Sequence, residues 1–234
     1  MAIEAVLFDC DGVLVDSEVV GLEDSAEFLA QHGFTWSPRD LITKFTGKRN
    51  DRFRAELLEG YGEILGRAPT DDEAAALFEG MLEVRRANRH KMQAVAGAFD
   101  TMKLVADLGL KQAVASSSQQ VYLDSKIERF GLAPLVVPHV YSAEHVDHGK
   151  PAPDIFLYSA ERLGVAPEKC VVIEDSRFGV EAGIAAGMEV WGFTGGGHCF
   201  EGHGEALEKA GASRVHDTHI ALQQEFTTVT QEHR

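Results

Sequence analysis

Short apolar runs rich in β-branched residues alternate with longer segments of helical period along most of the chain. This alternation is typical of βαβ units around a parallel sheet that helices cover on both faces. The predicted strands lie near Ala5–Phe8, Gln112–Ala115, Val136–Tyr141, Cys170–Ile173 and Glu189–Phe193. The predicted helices include Ala98–Asp107, Val121–Phe130, Pro153–Leu163 and Gly179–Ala186. The sequence therefore predicts the α/β class, with a doubly wound, Rossmann-like parallel sheet.

The interval from Asp16 to about Ala94 interrupts this alternation, because it contains no convincing strand. Helical patterns occupy Glu18–His32, Asp51–Leu65 and Asp71–Asn88, with breakers such as Gly33, Trp36-Ser37-Pro38, Gly47 and Ala68-Pro69 between them. We therefore expect two domains. Residues 1–16 and 92–234 form the α/β core, and residues 17–91 form an inserted all-helical domain.

The chain is strongly acidic: 22 Lys and Arg against 37 Asp and Glu give a net charge of −15. A field of this sign repels polyanions, so neither nucleic acid nor an acidic membrane is expected as a partner. A small anionic substrate is compatible with this charge where local cations or a bound metal reverse the field inside one cleft. We expect the chain to act as a monomer or a weak homodimer.

The amino-terminal residues lack the basic region of a signal peptide. No apolar run approaches the roughly 18 residues that a membrane-spanning helix requires. The three cysteines, Cys10, Cys170 and Cys199, are an odd number without metal-like spacing. Free thiols and a cytoplasmic location are therefore expected.

The strongest sign of chemistry is the run Asp9-Cys10-Asp11-Gly12, directly after the first predicted strand. Ligands of open α/β sheets bind beyond the carboxyl ends of the strands, and this run places two carboxylates there. The alternative is a turn without a chemical role, because Asp and Gly are common turn formers.

Three later strand ends also carry polar residues of the kinds that phosphate chemistry needs. They are the hydroxyls of Ser116, Ser117 and Ser118, the ammonium of Lys150 in Gly149-Lys150-Pro151, and the carboxylates of Glu174 and Asp175. Each has a plainer explanation, since serines are common at strand ends, loop lysines are usually solvated, and an acidic residue can start a helix. An acidic pair that closes an apolar strand is costly to bury without a cation, however, and this favours a metal site.

Taken in order, Asp9-x-Asp11-Gly12, Ser116, Lys150-Pro151 and Glu174-Asp175 resemble the four motifs of the haloacid dehalogenase superfamily and span nearly the whole chain. A helical insertion after the first motif resembles the family's C1 cap, as in β-phosphoglucomutases and small sugar-phosphate phosphatases, including those that hydrolyse 6-phosphogluconate. The resemblance therefore implies that the predicted helical domain is a cap over the active site.

The resemblance also implies a role for each residue. Asp9 is the nucleophile that forms an aspartyl-phosphate, and Asp11 protonates the leaving oxygen and later activates water. Ser116 and Lys150 complete the catalytic set. Mg²⁺ is the implied cofactor, and its predicted ligands are Asp9, Asp11 through its backbone carbonyl, Glu174 through a bound water, and Asp175. The implied substrate contacts are Cys10, Ser116, Ser117, Lys48, Arg49 and Lys150.

The helical insertion carries a cationic run, because Lys48, Arg49 and Arg52 follow Gly47. This run resembles the substrate-specificity loop of C1 caps, in which Arg49 would bind a second anionic or hydroxyl-rich part of the substrate. The alternative is a helix start with solvated charges.

Near the other end of the chain, a Gly195–Gly197 loop precedes His198. His198 and His203 lack a convincing third ligand, so a zinc site is not expected.

These features predict a Mg²⁺-dependent phosphatase that hydrolyses a small phosphorylated metabolite, a sugar or sugar-acid phosphate. Asp11 favours ester chemistry, because dehalogenases and phosphonatases of this fold lack a carboxylate at that position. The alternative is phosphoryl transfer of the β-phosphoglucomutase type, which Gly21 disfavours because the mutases carry a histidine there. A non-enzymatic phospho-receiver switch is a remote alternative, since receiver domains are much shorter.

Overall fold

The structure is a computed structural model that describes residues 3–45 and 50–231. It divides into two compact units: residues 1–16 with 93–234, and residues 17–92. The described strands are β1 (Ala5–Phe8), β2 (Val15–Asp16), β3 (Gln93–Ala94), β4 (Lys111–Ser116), β5 (Val140–Ser142), β6 (Cys170–Glu174), β7 (Glu189–Phe193) and β8 (Arg214–His216). The described α-helices are α1 (Leu22–Ala30), α2 (Pro38–Phe45), α3 (Asn50–Leu65), α4 (Asp71–Asn88), α5 (Ala98–Asp107), α6 (Gln120–Arg129), α7 (Ala133–Val136), α8 (Asp154–Leu163), α9 (Arg177–Ala185), α10 (His203–Ala210) and α11 (His219–Gln231).

The first unit is built on a six-stranded sheet in the order β5-β4-β1-β6-β7-β8, and every neighbouring pair is parallel. Strand β1 is central, and all four of its side chains are buried. Continuous apolar strands such as β1 and β6 are what a sheet covered on both faces requires. The predicted Rossmann-like α/β class is confirmed. The sheet topology positions the site, because the carboxyl ends of β1, β4 and β6 lie side by side.

Two local predictions were wrong in this unit. The predicted strand Val136–Tyr141 begins as the short helix α7 and reaches the sheet only at Val140. Pro138 explains the difference, since a proline cannot donate a hydrogen bond within a strand ladder. Strand β8 was missed because it is short, half-buried and polar, as expected at the edge of a sheet.

Strands β2 and β3 form a separate antiparallel pair in which Val15 pairs with Ala94 and Asp16 pairs with Gln93. Both were missed because a two-residue strand has no detectable alternation. They lie at the two ends of the long interval between β1 and β4, so the chain leaves and re-enters the first unit at adjacent positions.

The second unit contains the four helices α1 to α4 around its own apolar core, which includes Leu29, Leu57 and Leu77. Helix α4 begins with a capping box in which Thr70 and Glu73 satisfy each other's backbone amides. Helix α2 was missed because Pro38 was taken as a breaker. Pro38 is instead its first residue, a position that proline favours, and Ser37 and Asp40 hydrogen-bond across this end.

None of the helices in residues 3–45 and 50–231 is both long and apolar enough to cross a membrane.

Candidate active site

Asp9 and Asp11 lie in the tight turn that follows β1. Gly12 adopts a left-handed backbone conformation with φ of 87°, which glycine accommodates without strain. The turn closes when the amide of Gly12 donates to the carbonyl of Val15. Within it, the amide of Asp11 donates to Asp9 Oδ2 at 2.8 Å. The turn therefore fixes the first carboxylate at the end of the central strand.

Lys150 lies between two buried carboxylates. Its Nζ is 2.5 Å from Asp9 Oδ1 and 2.6 Å from Glu174 Oε1, and it also donates to the carbonyl of Ala115 at 3.0 Å. The Lys150 side chain is only 2% exposed. Burial lowers its pKa, but the attraction of Asp9 and Glu174 outweighs this effect and raises the pKa above its ordinary value. Lys150 is therefore a fixed, buried cation and not a solvated loop lysine.

The carboxylates carry more negative charge than Lys150 can balance. Burial, opposed by the attraction of Lys150, raises the pKa of Asp9 well above its ordinary value and raises that of Glu174. Asp175 is also buried and adds to the negative potential at both. His198, whose pKa is raised to about 11, adds a second positive charge beside Asp175, but three buried carboxylates still exceed these two cations, which favours a further cation.

A divalent cation fits this set of residues. Asp175 Oδ2 is buried and accepts no hydrogen bond of good geometry among the described residues, although His198 Nε2 lies 2.8 Å from it. Carboxylate oxygens are the ligands that Mg²⁺ prefers. Asp9 and Asp175 would hold the ion, while Glu174 is already held by Lys150 and by the amide and hydroxyl of Ser176. When bound, Mg²⁺ would neutralise the charge of a phosphoryl group next to Asp9.

The side chain of Asp11 points to a different set of donors. Ser116 Oγ donates to Asp11 Oδ2 at 3.2 Å and Ser118 Oγ donates to the same oxygen at 2.7 Å. Lys126 Nζ forms an ion pair with Asp11 Oδ1 and contacts Ser118 Oγ at 3.0 Å. The side chain of Asp11 therefore does not share the ion pairs of Lys150 with Asp9 and Glu174. This separation suits a proton carrier that is distinct from the nucleophile.

Sequence reasoning missed Lys126. It lies on α6, ten residues after the end of β4, and nothing in its immediate neighbours marks it. The sequence offers one indirect signal. Helix α6 starts just after the serine run, and long side chains on a helix extend back toward its amino terminus, so a lysine on α6 can reach the end of β4.

The remaining predicted residues have different outcomes. Cys10 is buried, and burial raises the pKa of its thiol well above the ordinary value, so the side chain is an unreactive thiol. Ser117 is half-buried next to Ser116 at the end of β4. Lys48 and Arg49 lie outside the described residues, so their predicted contact with substrate stays a prediction.

His198, a residue for which no role was predicted, touches the acidic pair. Its Nε2 lies 2.8 Å from Asp175 Oδ2, off the direction in which a ring N–H bond would point. Although burial lowers the pKa of His198, the contacts with Asp175 and Cys199 raise it to about 11. Gly12 makes this approach possible, because a Cβ at that position would overlap Asp175 Oδ2 and come within 2.5 Å of His198 Cε1.

A doubly wound sheet with an aspartate pair after its central strand, and with a lysine and an acidic pair at neighbouring strand ends, defines a hydrolase of the haloacid dehalogenase type. Residues 3–187 match the family model described as haloacid dehalogenase-like hydrolase. The chain belongs to this family, as its motifs predicted.

The relatives include several phosphatases. Hexitol phosphatase A of Escherichia coli is 30% identical over 81% of this chain and 82% of its own length. The 6-phosphogluconate phosphatase of Escherichia coli is 27% identical over 84% of this chain and 85% of its own length. The protein SUPPRESSOR OF QUENCHING 1 of Arabidopsis thaliana is 34% identical over 80% of this chain, but the match covers only 17% of that protein.

Solved structures agree with the family. A haloacid dehalogenase family hydrolase from Deinococcus radiodurans, solved with bound phosphate and sodium, is 34% identical to this chain. The two structures superpose with a TM-score of 0.76 over 97% of this chain and 96% of the other.

Proposed function

We propose that this protein is a Mg²⁺-dependent phosphatase that hydrolyses a small phosphorylated carbohydrate through an aspartyl-phosphate on Asp9. The observation that carries the proposal is the separation of two carboxylates in one turn. Asp9 lies against the buried Lys150, whereas Asp11 lies against Ser116, Ser118 and Lys126. This separation supports a role for Asp9 as the attacking group and a role for Asp11 as the proton carrier.

In the first step, a carboxylate oxygen of Asp9 forms a bond to phosphorus while the bond to the ester oxygen breaks. Asp11 gives its proton to the departing oxygen, so the alcohol leaves neutral. In the second step, water gives a proton to Asp11 and attacks the acyl phosphate. The bond between Asp9 and phosphorus breaks, inorganic phosphate leaves, and both aspartates return to their starting states.

Lys150 and Ser116 have the task of reducing repulsion. An anionic carboxylate approaches a phosphate dianion only where positive charge offsets both partners. Lys150 already contacts Asp9 and is buried, so its charge acts at low solvent screening. Ser116 and the neighbouring Ser117 would donate to phosphoryl oxygens at the end of β4.

Phosphorylated carbohydrates are the proposed substrates because several relatives that match over most of their own length have names of that kind. They include a hexitol phosphatase and a 6-phosphogluconate phosphatase. We further propose that the helical unit acts as the cap and that Lys48 and Arg49 bind the part of the substrate distant from the phosphate. A planar guanidinium donor suits a hydroxyl-rich or carboxylate-bearing chain.

The test is phosphate release from a panel of hexitol, hexose and sugar-acid phosphates in the presence of Mg²⁺. Activity should disappear with EDTA and return when Mg²⁺ is added in excess. Asp9→Asn should reduce kcat at least ~10³-fold, because an amide is a poor nucleophile. Asp40→Asn, at the exposed end of α2, is the matched control and should retain full activity.

Near-normal turnover by Asp9→Asn would show that the nucleophile is assigned wrongly. Conversion of β-glucose 1-phosphate to glucose 6-phosphate without free phosphate would instead establish the mutase alternative.

A further inference from the structure

His198, Cys199 and His203 form a compact group in the loop after β7 and at the first residue of α10. One ligand atom from each residue lies within 4.8 Å of the others. His198 is fully buried, and the other two side chains are half-buried. The group belongs to the first unit, and the phosphatase chemistry proposed above does not use it.

Nitrogen atoms of both histidines and the sulfur of Cys199 lie close together. His198 Nε2 lies 3.4 Å from Cys199 Sγ and 2.8 Å from Asp175 Oδ2. His203 Nε2 donates to the backbone carbonyl of Asp175 at 2.6 Å, so in the neutral ring Nδ1 carries the lone pair that can bind a metal. A metal-ligating histidine typically donates its other ring N–H to a carbonyl or carboxylate in this way.

The backbone around the group leaves room for the imidazole of His198. A Cβ on Gly196 would lie 2.8 Å from His198 Nδ1 and 2.7 Å from the carbonyl of Gly12, so residue 196 has to be small. The rings of His198 and His203 are nearly perpendicular, with centroids 5.5 Å apart.

We propose that His198, Cys199 and His203 form a site for a divalent transition-metal ion of the Zn²⁺ class. The adjacent Asp175 Oδ2 would be the fourth ligand. Two imidazoles and one thiolate are a donor set that Zn²⁺ prefers and that Mg²⁺ does not. The prediction from sequence that zinc lacks a third ligand is therefore replaced, because the structure brings Cys199 between the two histidines.

The Cys199 thiol and the His198 ring, whose pKa is raised to about 11, each have to lose a proton to solvent when the metal binds. Although burial opposes ionisation, the interactions of Cys199 with His198 and His203 lower the pKa of its thiol. Cys170 has the opposite surroundings, because burial raises the pKa of its thiol to about 11. Cys170 therefore serves as the matched control.

Occupation of this site has a consequence that rests on the proposed function. Asp175 would serve both ions, so a bound Zn²⁺ should compete for the carboxylate that Mg²⁺ needs. We expect Zn²⁺ at one equivalent to raise the Mg²⁺ concentration required for half-maximal phosphatase activity by about tenfold.

The decisive experiment measures metal binding directly and does not depend on activity. The full chain, without a histidine tag and stripped of metal, is titrated with Co²⁺ while its absorption spectrum is recorded. A thiolate-to-cobalt charge-transfer band and the visible bands of a tetrahedral site should saturate at one equivalent, and Zn²⁺ should displace them. Cys199→Ser should abolish the charge-transfer band, and His203→Gln should weaken binding about 100-fold. Cys170→Ser should leave the titration unchanged.

A second measurement covers the case in which a variant fails to fold. Bound Zn²⁺ should protect Cys199 of the wild-type chain from alkylation by iodoacetamide, as read by mass spectrometry. The proposal is wrong if no charge-transfer band develops at saturating Co²⁺, if Cys199→Ser retains the band, or if Zn²⁺ leaves the alkylation of Cys199 unchanged. Failure of the phosphatase assay alone would leave these binding results intact, so the two proposals are separable.

Discussion

Replacing Lys150 with methionine should strongly destabilise the metal-free protein. Methionine keeps most of the side-chain volume but removes the charge that Asp9 and Glu174 share at 2.5 and 2.6 Å. All three side chains are at most 8% exposed, so water cannot replace the lost ammonium. Removing one partner of a buried ion pair costs about 3–5 kcal/mol, and for a chain of this size each kcal/mol lowers Tm by about 2–4 °C. We therefore expect a fall in Tm of about 6–20 °C at pH 7.

The loss of stability caused by Lys150→Met should become smaller as the pH is lowered. The pKa values of Asp9 and Glu174 are raised in the folded protein, so the folded state binds more protons than the unfolded state above about pH 4. Stability contributed by such groups falls as pH rises. Without Lys150 these pKa values rise further, so the difference between wild type and Lys150→Met should be smaller at pH 5 than at pH 7.

Denaturant unfolding monitored by tryptophan fluorescence is a suitable assay. Trp191 is buried in the first unit and Trp36 lies in the second, so a Trp36→Phe background makes the signal specific for the unit that contains Lys150. Lys209→Met, an exposed lysine on α10, is the control and should leave the transition unchanged. A double variant that adds Glu174→Gln should recover part of the loss.

The reasoning is refuted if Lys150→Met unfolds within about 1 kcal/mol of wild type at pH 7, since that value is typical of an exposed pair.

Two further predictions concern Lys126 and His219. Lys126→Met should lower kcat about 10–100-fold while KM changes less than twofold, because we assign Lys126 the role of positioning Asp11, with which it forms an ion pair. Lys103→Met, at an exposed lysine on α5, is the control. A change confined to KM would contradict the assignment. His219 is buried, donates from Nε2 to the carbonyl of Val13 at 2.8 Å and has a pKa that burial lowers, so its contribution to stability is complete above about pH 6.5 and is lost as pH falls below that value. The difference in unfolding free energy between wild type and His219→Gln should therefore be larger at pH 7.5 than at pH 5.5. Equal differences at both pH values would show that folding does not change the pKa of His219.

Much of the site was predictable because the chemistry of a parallel sheet is concentrated at one edge. Asp9, Ser116 and Glu174 each follow or end an apolar run, and parallel strands bring such ends together whatever the connecting helices do. The same rule predicted the sheet class. This rule requires only that the apolar runs be recognised as strands, and it does not depend on the exact first and last residue of each strand.

The parts that sequence reasoning missed depend on how helices and loops pack. Lys126 reaches Asp11 only because α6 leaves β4 in a particular direction, which no local pattern specifies. Cys199 was set aside as one of three unpaired cysteines, although the turn between His198 and His203 places its sulfur beside both rings. The strand begins at Val140 and not at Val136 as predicted, because Pro138 cannot donate a hydrogen bond to a neighbouring strand.

The antiparallel pair between Val15–Asp16 and Gln93–Ala94 has a consequence for how such a chain can diversify. Since the insertion begins and ends at neighbouring points, its closure cost varies only with the logarithm of its length, at about 0.6 kcal/mol for each doubling. Helices can therefore be lengthened, deleted or grafted between these two anchors while the order of the six strands is kept.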